Sequence, residues 1–291
     1  MERVAVVAHQ AKTLGAGLPE LRRLLEAAGV EELLWYEVPK SKKGPKRVRE
    51  AIAAGAELLL IWGGAGMVQR SIDAAVGNDV SVAILPAGTA NLLATNLGIP
   101  HDLEQSLDVA LHGRNRPLDA PTINGEHFNV MAGVGFDAHM IDAADSSAKD
   151  KLGTLAYVRS GVGAMRAAPT KVRIKIDGTP WFKGKAGCVL VGNVSTASGG
   201  LVIFNDAQPD DGVLDVGVVT AKGTAQWLRV LTRAAQKKAD RSPFVHTTRA
   251  RTVDIRMDKP ALYELDGGSR KKVKQLRFRI EPLAITVRVP E

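Results

Sequence analysis

The stretch "LLLIWGGAGMVQRSIDAA", Leu58–Ala75, decides how the rest of the chain is read. Its apolar run has no alternation, which predicts a strand covered on both faces, as in a parallel sheet. Gly63 and Gly64 break the run, and apolar residues then return at helical spacing. Strand, glycine turn and helix together form a phosphate-binding arrangement. Glycines let the backbone approach an anion, and the amides of the turn and helix N-terminus stabilise its charge. On spacing alone a purely structural glycine bend fits equally well. The turn has neither the lysine of a P-loop nor the full dinucleotide fingerprint. Ala65 and Met67 also stand where phosphate chemistry would favour a carboxylate and a hydroxyl.

Outward from this stretch, strands and helices alternate. Arg3–Ala8, "LLWYEV" and "VSVAILP" read as further strands. "GLPELRRLLEAAG" places Leu18, Leu21, Leu25 and Ala28 on one helical face and stops at Gly29. Helices are also predicted over Pro45–Ala54, Thr89–Leu97 and Asp102–His112. The alternation predicts a doubly wound α/β domain over residues 1–120, with ligands at the carboxyl ends of the strands. The Gly63 turn and the Pro86–Asn91 turn both fall there. In "LPAGTANLLATNLGIP" Thr89 reads as a helix N-cap. A sharper reading has Thr89 and Asn91 facing a nucleotide phosphate or ribose.

Near residue 120 the pattern changes. Asn124-Gly125 is a type I′ hairpin signal, "KVRIKIDGTPWF" alternates polar with apolar and then turns at Asp177-Gly178, and "RTVDIRM", "QLRFRI" and "AITVRV" alternate as well. Residues 121–283 therefore read as an antiparallel β-sandwich. Helices are expected around Leu152–Arg166 and Thr224–Ala239, and Asp137 reads as a helix cap.

The bulk numbers narrow the classes. The chain has 291 residues, of which 45% are hydrophobic and 24% charged, an ordinary globular mixture. No apolar run approaches the roughly 20 residues a bilayer span needs. "MERVAVVAHQAK" reads as a first strand rather than a signal peptide. Cys188 is the single cysteine, which excludes an internal disulfide, fits a reducing cytoplasm and reads as a buried, inert thiol. The scattered histidines argue against a zinc site. A net charge of +8 suits a polyanionic partner or an anionic membrane surface. Only 4% of residues are aromatic, poor material for stacking bases, so no nucleic-acid partner is expected.

Beyond the two turns, three further segments carry a resemblance: "LDAPTINGEHFNVMAGVGFDA", "DAQPDDGVLDVGVVT" and "YELDGGSRKKVKQLRFRIEPLAITVRVP". In order and spacing the chain resembles the bacterial diacylglycerol kinase-like lipid kinases, relatives of sphingosine kinases and more distantly of NAD kinases. The resemblance implies a nucleotide domain followed by a β-sandwich, with ATP and a lipid headgroup held between them. It also implies that 284–291 returns to the first domain. It assigns the ATP phosphates to Gly63, Gly64, Ala65, Gly66 and Met67 together with Gly88, Thr89 and Asn91. Asp119 corresponds to an aspartate of a Mg²⁺–water network. "DDGVLD" corresponds to a metal loop, its ligands the Asp211 carboxylate and the carbonyls of Gln208 and Val213. All-oxygen ligation of this kind suits Mg²⁺, although Asp211-Gly212 is also a good turn pair.

The chain also departs from that pattern. Where the family has Gly-Gly-Asp-Gly-Thr, Ala65 and Met67 replace the acid and the hydroxyl. His9-Gln10-Ala11-Lys12-Thr13 replaces an Asn-Pro-x-Ser-Gly end of the first strand, and Lys40 aligns with a frequent threonine. The general-base glutamate position falls on Gly268, which accepts no proton. Glu264 and Asp266 are the nearby carboxylates, and strand alternation would put both on one face. The reading that follows is an ATP-dependent kinase for a lipid alcohol such as diacylglycerol, with reduced turnover. A silent nucleotide- or lipid-binding protein is the alternative, and an NAD kinase-like enzyme the third. A cytoplasmic protein is expected, peripheral at the inner membrane face, and a homodimer is compatible with it.

Overall fold

The computed structural model describes residues 2–135, 169–197 and 201–291. The chain divides into two compact units, Met1–Ala120 with Leu283–Glu291, and Pro121–Pro282. Asp137 and the helix expected around Leu152–Arg166 lie outside the described residues.

In the first unit four strands run parallel: β1 (Val4–His9), β2 (Leu33–Val38), β3 (Leu58–Gly63) and β4 (Ser81–Pro86). Their order is β2-β1-β3-β4, and Thr286 and Val287 at the end of the last strand lie parallel beside Ser81 and Val82 of β4. Every residue of β3 is buried, which is why its sequence does not alternate. Val4, Val6, Leu58, Leu60 and Trp62 face Leu21 and Leu25 of α1 (Leu18–Ala27) and Leu103 and Leu107 of α5 (Leu103–His112). α2 (Gly44–Ala53) packs against β1, and α3 (Ala65–Ala75) against β3 and α2. The helices on both faces make the unit doubly wound, with the hydrophobic residues of two layers buried on one sheet.

The short helix α4 covers Leu92–Asn96, three residues later than its sequence predicts. Asn91 at its N-cap is left-handed (φ 39°) and offers no capping bond. Asparagine tolerates that conformation better than most residues. Thr89 is exposed and precedes the helix by three residues, so the expected threonine cap is absent. α5 starts one residue later than expected and is capped by Asp102, whose Oδ1 accepts from the Gln105 amide at 3.0 Å.

After β5 (Arg114–Ile123) the described strands of the second unit pair antiparallel with one another: β6 (Glu126–His127), β7 (Met131–Val134), β8 (Thr170–Ile176), β9 (Thr179–Ala186), β10 (Cys188–Gly192), β11 (Leu214–Val219), β12 (Val245–Ala250), β13 (Thr252–Leu265) and β14 (Gly268–Val289), whose last residues belong to the first unit. One layer runs β12-β11-β10-β7. The long strand β13 joins the layers. Val253–Met257 pairs with β8, whereas Tyr263–Leu265 pairs with β7, with register shifts between. Bulges bend a strand and let it change partners. The inward sets Val189, Val191, Val216 and Val218, and Val172, Ile174, Val253, Ile255 and Phe278, form one buried cluster. Phe128 meets Phe278 edge to face, with ring centroids 6.0 Å apart. Asn124-Gly125 and Asp177-Gly178 turn with both φ positive, as type I′ turns require. α6 covers Gly223–Ala235 and stops four residues short of the expected end. Beneath it Trp227, Val230 and Leu231 face Cys188 and Leu190 across an apolar cavity of about 50 Å³. Burial pushes the Cys188 thiol well above its ordinary range, so it is an unreactive core thiol.

Candidate active site

Parallel alignment brings the carboxyl ends of β1, β3 and β4 to one edge of the first unit. The turns after β3 and β4 touch there. A Cβ added to Gly88 would lie 2.4 Å from the Gly64 Cα and 2.9 Å from Asn91 Oδ1. Only glycine at position 88 permits this approach of two backbones. Asn91 locks the second turn: it is buried, its Nδ2 donates to the Gly88 carbonyl at 2.8 Å, and its Oδ1 is buried with no partner among the described residues. α3 starts at the first turn, and Met67 and Val68 already donate to the Gly64 carbonyl (2.8 and 3.1 Å). The amides of Ala65 and Gly66 precede the helical ladder, and Gly66 is exposed. Two amides, a helix N-terminus and no acid in the first turn are suited to an anion. Lys12 and Lys40, both exposed, follow β1 and β2 at the same edge.

Met67 has a different role from the rest of the turn. Its side chain is fully buried. A Cβ on Gly63 would lie 2.6 Å from Met67 Cβ, and one on Gly44 would lie 2.9 Å from its sulfur. With its amide bonded to Gly64 as well, Met67 is the floor under the turn and presents nothing to a ligand. Ala65 at the same turn is only half-buried.

Asp119 is buried in β5, and its Oδ1 accepts from the Leu283 amide at 2.9 Å. Leu283 is left-handed (φ 51°) at the point where the chain re-enters the first unit. Asp119 therefore fixes that re-entry.

In the second unit Asp266 and Glu264 do not share a face. β13 ends at Leu265, and Asp266-Gly267 form a third type I′ turn (φ 44° and 79°). The turn swings the Asp266 carboxylate back onto a run of amides: Asn129 at 2.7 Å, Val130 at 2.9 Å and Met131 at 3.1 Å. Burial pushes this carboxyl up to about 6 against the lowering pull of those three amides. Glu264 stays on the strand, with Ser269 Oγ donating to it at 3.4 Å. Gly268 has ordinary backbone, and a Cβ there would meet the Arg270 guanidinium at 2.8 Å. Arg270 Nη1 donates to the Gly268 carbonyl at 3.0 Å and its Nε to Glu126 at 2.9 Å. The position a glutamate would fill is thus covered by an arginine held by Glu126. That pair joins residues 144 apart, and only the tertiary fold brings them together.

The "DDGVLD" turn holds a cation of its own. Arg249 bonds to Asp211 Oδ2 and lies 3.5 Å from Asp215 Oδ1, while Asp211 Oδ1 accepts from the Val213 amide at 3.2 Å. β11–β12 pairing sets Arg249 directly opposite Asp215. Burial pushes Asp215 up to about 6, with Arg249 opposing the rise. A Mg²⁺ ion here would have to displace Arg249 from Asp211, since Gln208 and Val213 would bring only carbonyls. The donor set therefore fits a divalent ion poorly while Arg249 is in place. Among the described residues no group of three or more His, Cys, Asp or Glu side chains is placed to hold a metal.

Residues 6–123 match the diacylglycerol kinase catalytic domain, and residues 130–289 match the YegS C-terminal NAD kinase beta sandwich-like domain. The chain is 30% identical to a probable lipid kinase YegS-like of Pseudomonas aeruginosa, covering 84% of this chain and 80% of that one. It is 28% identical to a diacylglycerol kinase of Bacillus subtilis over 75% of this chain and 73% of that one. Among solved structures, a putative diacylglycerol kinase from Bacillus anthracis superposes with a TM-score of 0.81 at 22% identity, covering 99% and 97% of the two chains. An NAD kinase from Archaeoglobus fulgidus in complex with ATP gives 0.53 at 13% identity, covering 99% and 94%.

Proposed function

We propose, from the premise that the chain belongs to the diacylglycerol kinase-type lipid kinase family, that it transfers the γ-phosphate of ATP to the hydroxyl of a lipid alcohol, with low turnover. The observation that carries this reading is the contact of the Gly64 and Gly88 turns at the carboxyl edge of the parallel sheet. Ala65 and Gly66 amides, the α3 N-terminus and the nearby lysines would hold the phosphates. Mg²⁺ bound with ATP would neutralise phosphate charge, and Asp119 is the carboxylate the family pattern offers it.

The acceptor hydroxyl must lose a proton as its oxygen bonds to phosphorus and ADP leaves. No side chain at position 268 can take it. Asp266 faces amides, so in this reading the proton passes to Glu264, the carboxylate left on the strand, or directly to solvent. Phosphoryl transfer depends mainly on positioning and charge stabilisation, so turnover persists without an ideal base. Loss of a base costs roughly 10²–10⁴ in rate, and loss of a preorganised electrostatic group about 10²–10³. These two losses also favour a second reading, a nucleotide- or lipid-binding protein without turnover.

The experiment compares labelled-phosphate transfer to mixed lipid alcohols by the native protein, Ala65→Asp, Gly268→Glu and the double variant. The kinase reading expects slow native transfer and a gain in the double variant. Tight nucleotide binding by calorimetry with no transfer from any of the four proteins would establish the silent reading instead.

A further inference from the structure

β8, β9, β13 and β14 lie side by side, and their outward face carries a concentration of positive charge. Val172 and Ile174 of β8 are buried, so Lys171, Arg173 and Lys175 point outward and are exposed. Lys183 and Lys185 of β9, Arg256 of β13 and Arg277 of β14 are exposed on the same side. The register puts like charges directly opposite one another: Lys171 with Lys185, Arg173 with Lys183, and Arg173 with Arg256. Asp254 and Asp258 are the acids on this stretch of β13, and Asp254 lies beside Lys175, Arg277 and Arg279. Among the described residues, Lys171, Arg173, Lys183, Lys185 and Arg256 form no salt bridge.

Opposed like charges in a sheet are destabilising. Lysines on an edge strand guard against sheet-to-sheet pairing, and among the described strands β9 is an edge. That explanation stops at β9. Arg173 and Arg256 lie on strands paired on both sides and face each other in the interior of the sheet. A repulsive cluster in that place calls for an external anion. In a sheet, outward rows repeat about every 7 Å along the strands and strands lie about 4.8 Å apart, so these cations form a two-dimensional array suited to an extended anionic surface. Farther along β13, past the register shift, Leu262 is 53% exposed and opposite Lys272. A large apolar side chain among cations fits the headgroup boundary of a bilayer better than it fits a nucleic-acid backbone.

We propose that this face of the second unit docks the protein on an anionic lipid surface, an inference that rests on the lipid-kinase reading for its purpose. Each well-placed cation adds roughly fivefold in affinity, so neutralising three removes about a hundredfold. The test uses cosedimentation of the full chain with phosphatidylcholine vesicles, with and without phosphatidylglycerol. Binding is expected only with the anionic lipid and is expected to fall with added salt. Arg173→Gln/Lys183→Gln/Arg256→Gln should lose about a hundredfold in affinity while its melting temperature holds or rises, because the repulsion is gone. Lys171→Gln/Lys185→Gln, in another row, should weaken binding independently. Lys237→Gln/Lys238→Gln, a basic cluster elsewhere, should bind as the native protein does.

Equal binding by the native protein and the triple variant, equal binding to neutral vesicles, or single-stranded RNA bound more tightly than the anionic vesicles would each overturn the proposal. Transfer to a short-chain diacylglycerol without vesicles separates it from the kinase reading. The triple variant should match the native rate there, and absence of all transfer would count against the kinase while vesicle binding still reports on the face.

Discussion

The Asp266 carboxylate and the Asn129 amide meet at 2.7 Å, the shortest of three bonds from consecutive amides to one side chain. Three N–H groups with a shared acceptor cannot all re-pair if it is removed. A buried donor left without a partner costs about 1–3 kcal/mol. We expect Asp266→Ala to destabilise the protein by about 3 kcal/mol or more, read from urea unfolding, and a variant of native stability would return Asp266 to the list of candidate bases.

Two carboxyls titrate unusually high, Asp266 and Asp215, each near pH 6 from an ordinary 3.8. In both, burial is the first cause. Between those values the folded state holds protons that the unfolded state has released, so stability falls as pH rises. Each contribution is complete below about pH 4 and lost on passing pH 6. Asp215→Asn should flatten the difference in melting temperature between pH 4 and pH 7. An Asp215→Asn profile parallel to the native one would refute the assignment.

Turn chemistry separates Ala65 from Met67. Ala65→Asp places its carboxylate at the half-buried start of a helix, where negative charge is favoured, so stability should hold. Met67→Thr empties the packed space beneath Gly63 and Gly44 and buries a hydroxyl, at a cost of about 2–4 kcal/mol. Chemical denaturation of the two single variants tests this ordering.

Asp119 can be tested for two roles at once. Asp119→Asn retains an oxygen for the Leu283 amide but loses the charge. If its charge matters to transfer, kcat drops about a hundredfold at unchanged melting temperature. An equal drop in both would make it a structural residue only.

Arg249 stands where a divalent ion would otherwise neutralise Asp211 and Asp215. The native melting temperature should ignore EDTA and Mg²⁺. Arg249→Met should melt lower and regain stability as Mg²⁺ is added, whereas Arg249→Lys should remain insensitive. A Mg²⁺-independent Arg249→Met protein would show that the turn needs no cation.

Local patterns carried much of this molecule. The uninterrupted apolar run before Gly63 marked a buried parallel strand, and Asn124-Gly125 and Asp177-Gly178 marked their own turns through the need for positive φ. Asp266-Gly267 carried the same signal and also ends β13, so the alternation that would have aligned Glu264 with Asp266 stops one residue too soon. Thr89 had the composition of a cap, yet the backbone enters α4 through Asn91, which is bonded to Gly88.

What the sequence by itself determined is periodicity, turn chemistry and the absence of a proton acceptor at position 268, because each depends on residue type and near neighbours. The tertiary structure alone decided that Met67 lies under its turn, that Arg249 faces Asp215, that Arg270 reaches Glu126, and that Arg173 opposes Arg256. The Arg249–Asp215 and Arg173–Arg256 pairs depend on strand register between distant segments, and the other two on helix packing and side-chain reach. A one-residue slip would turn the same side chains to the opposite face, and no local preference specifies that choice.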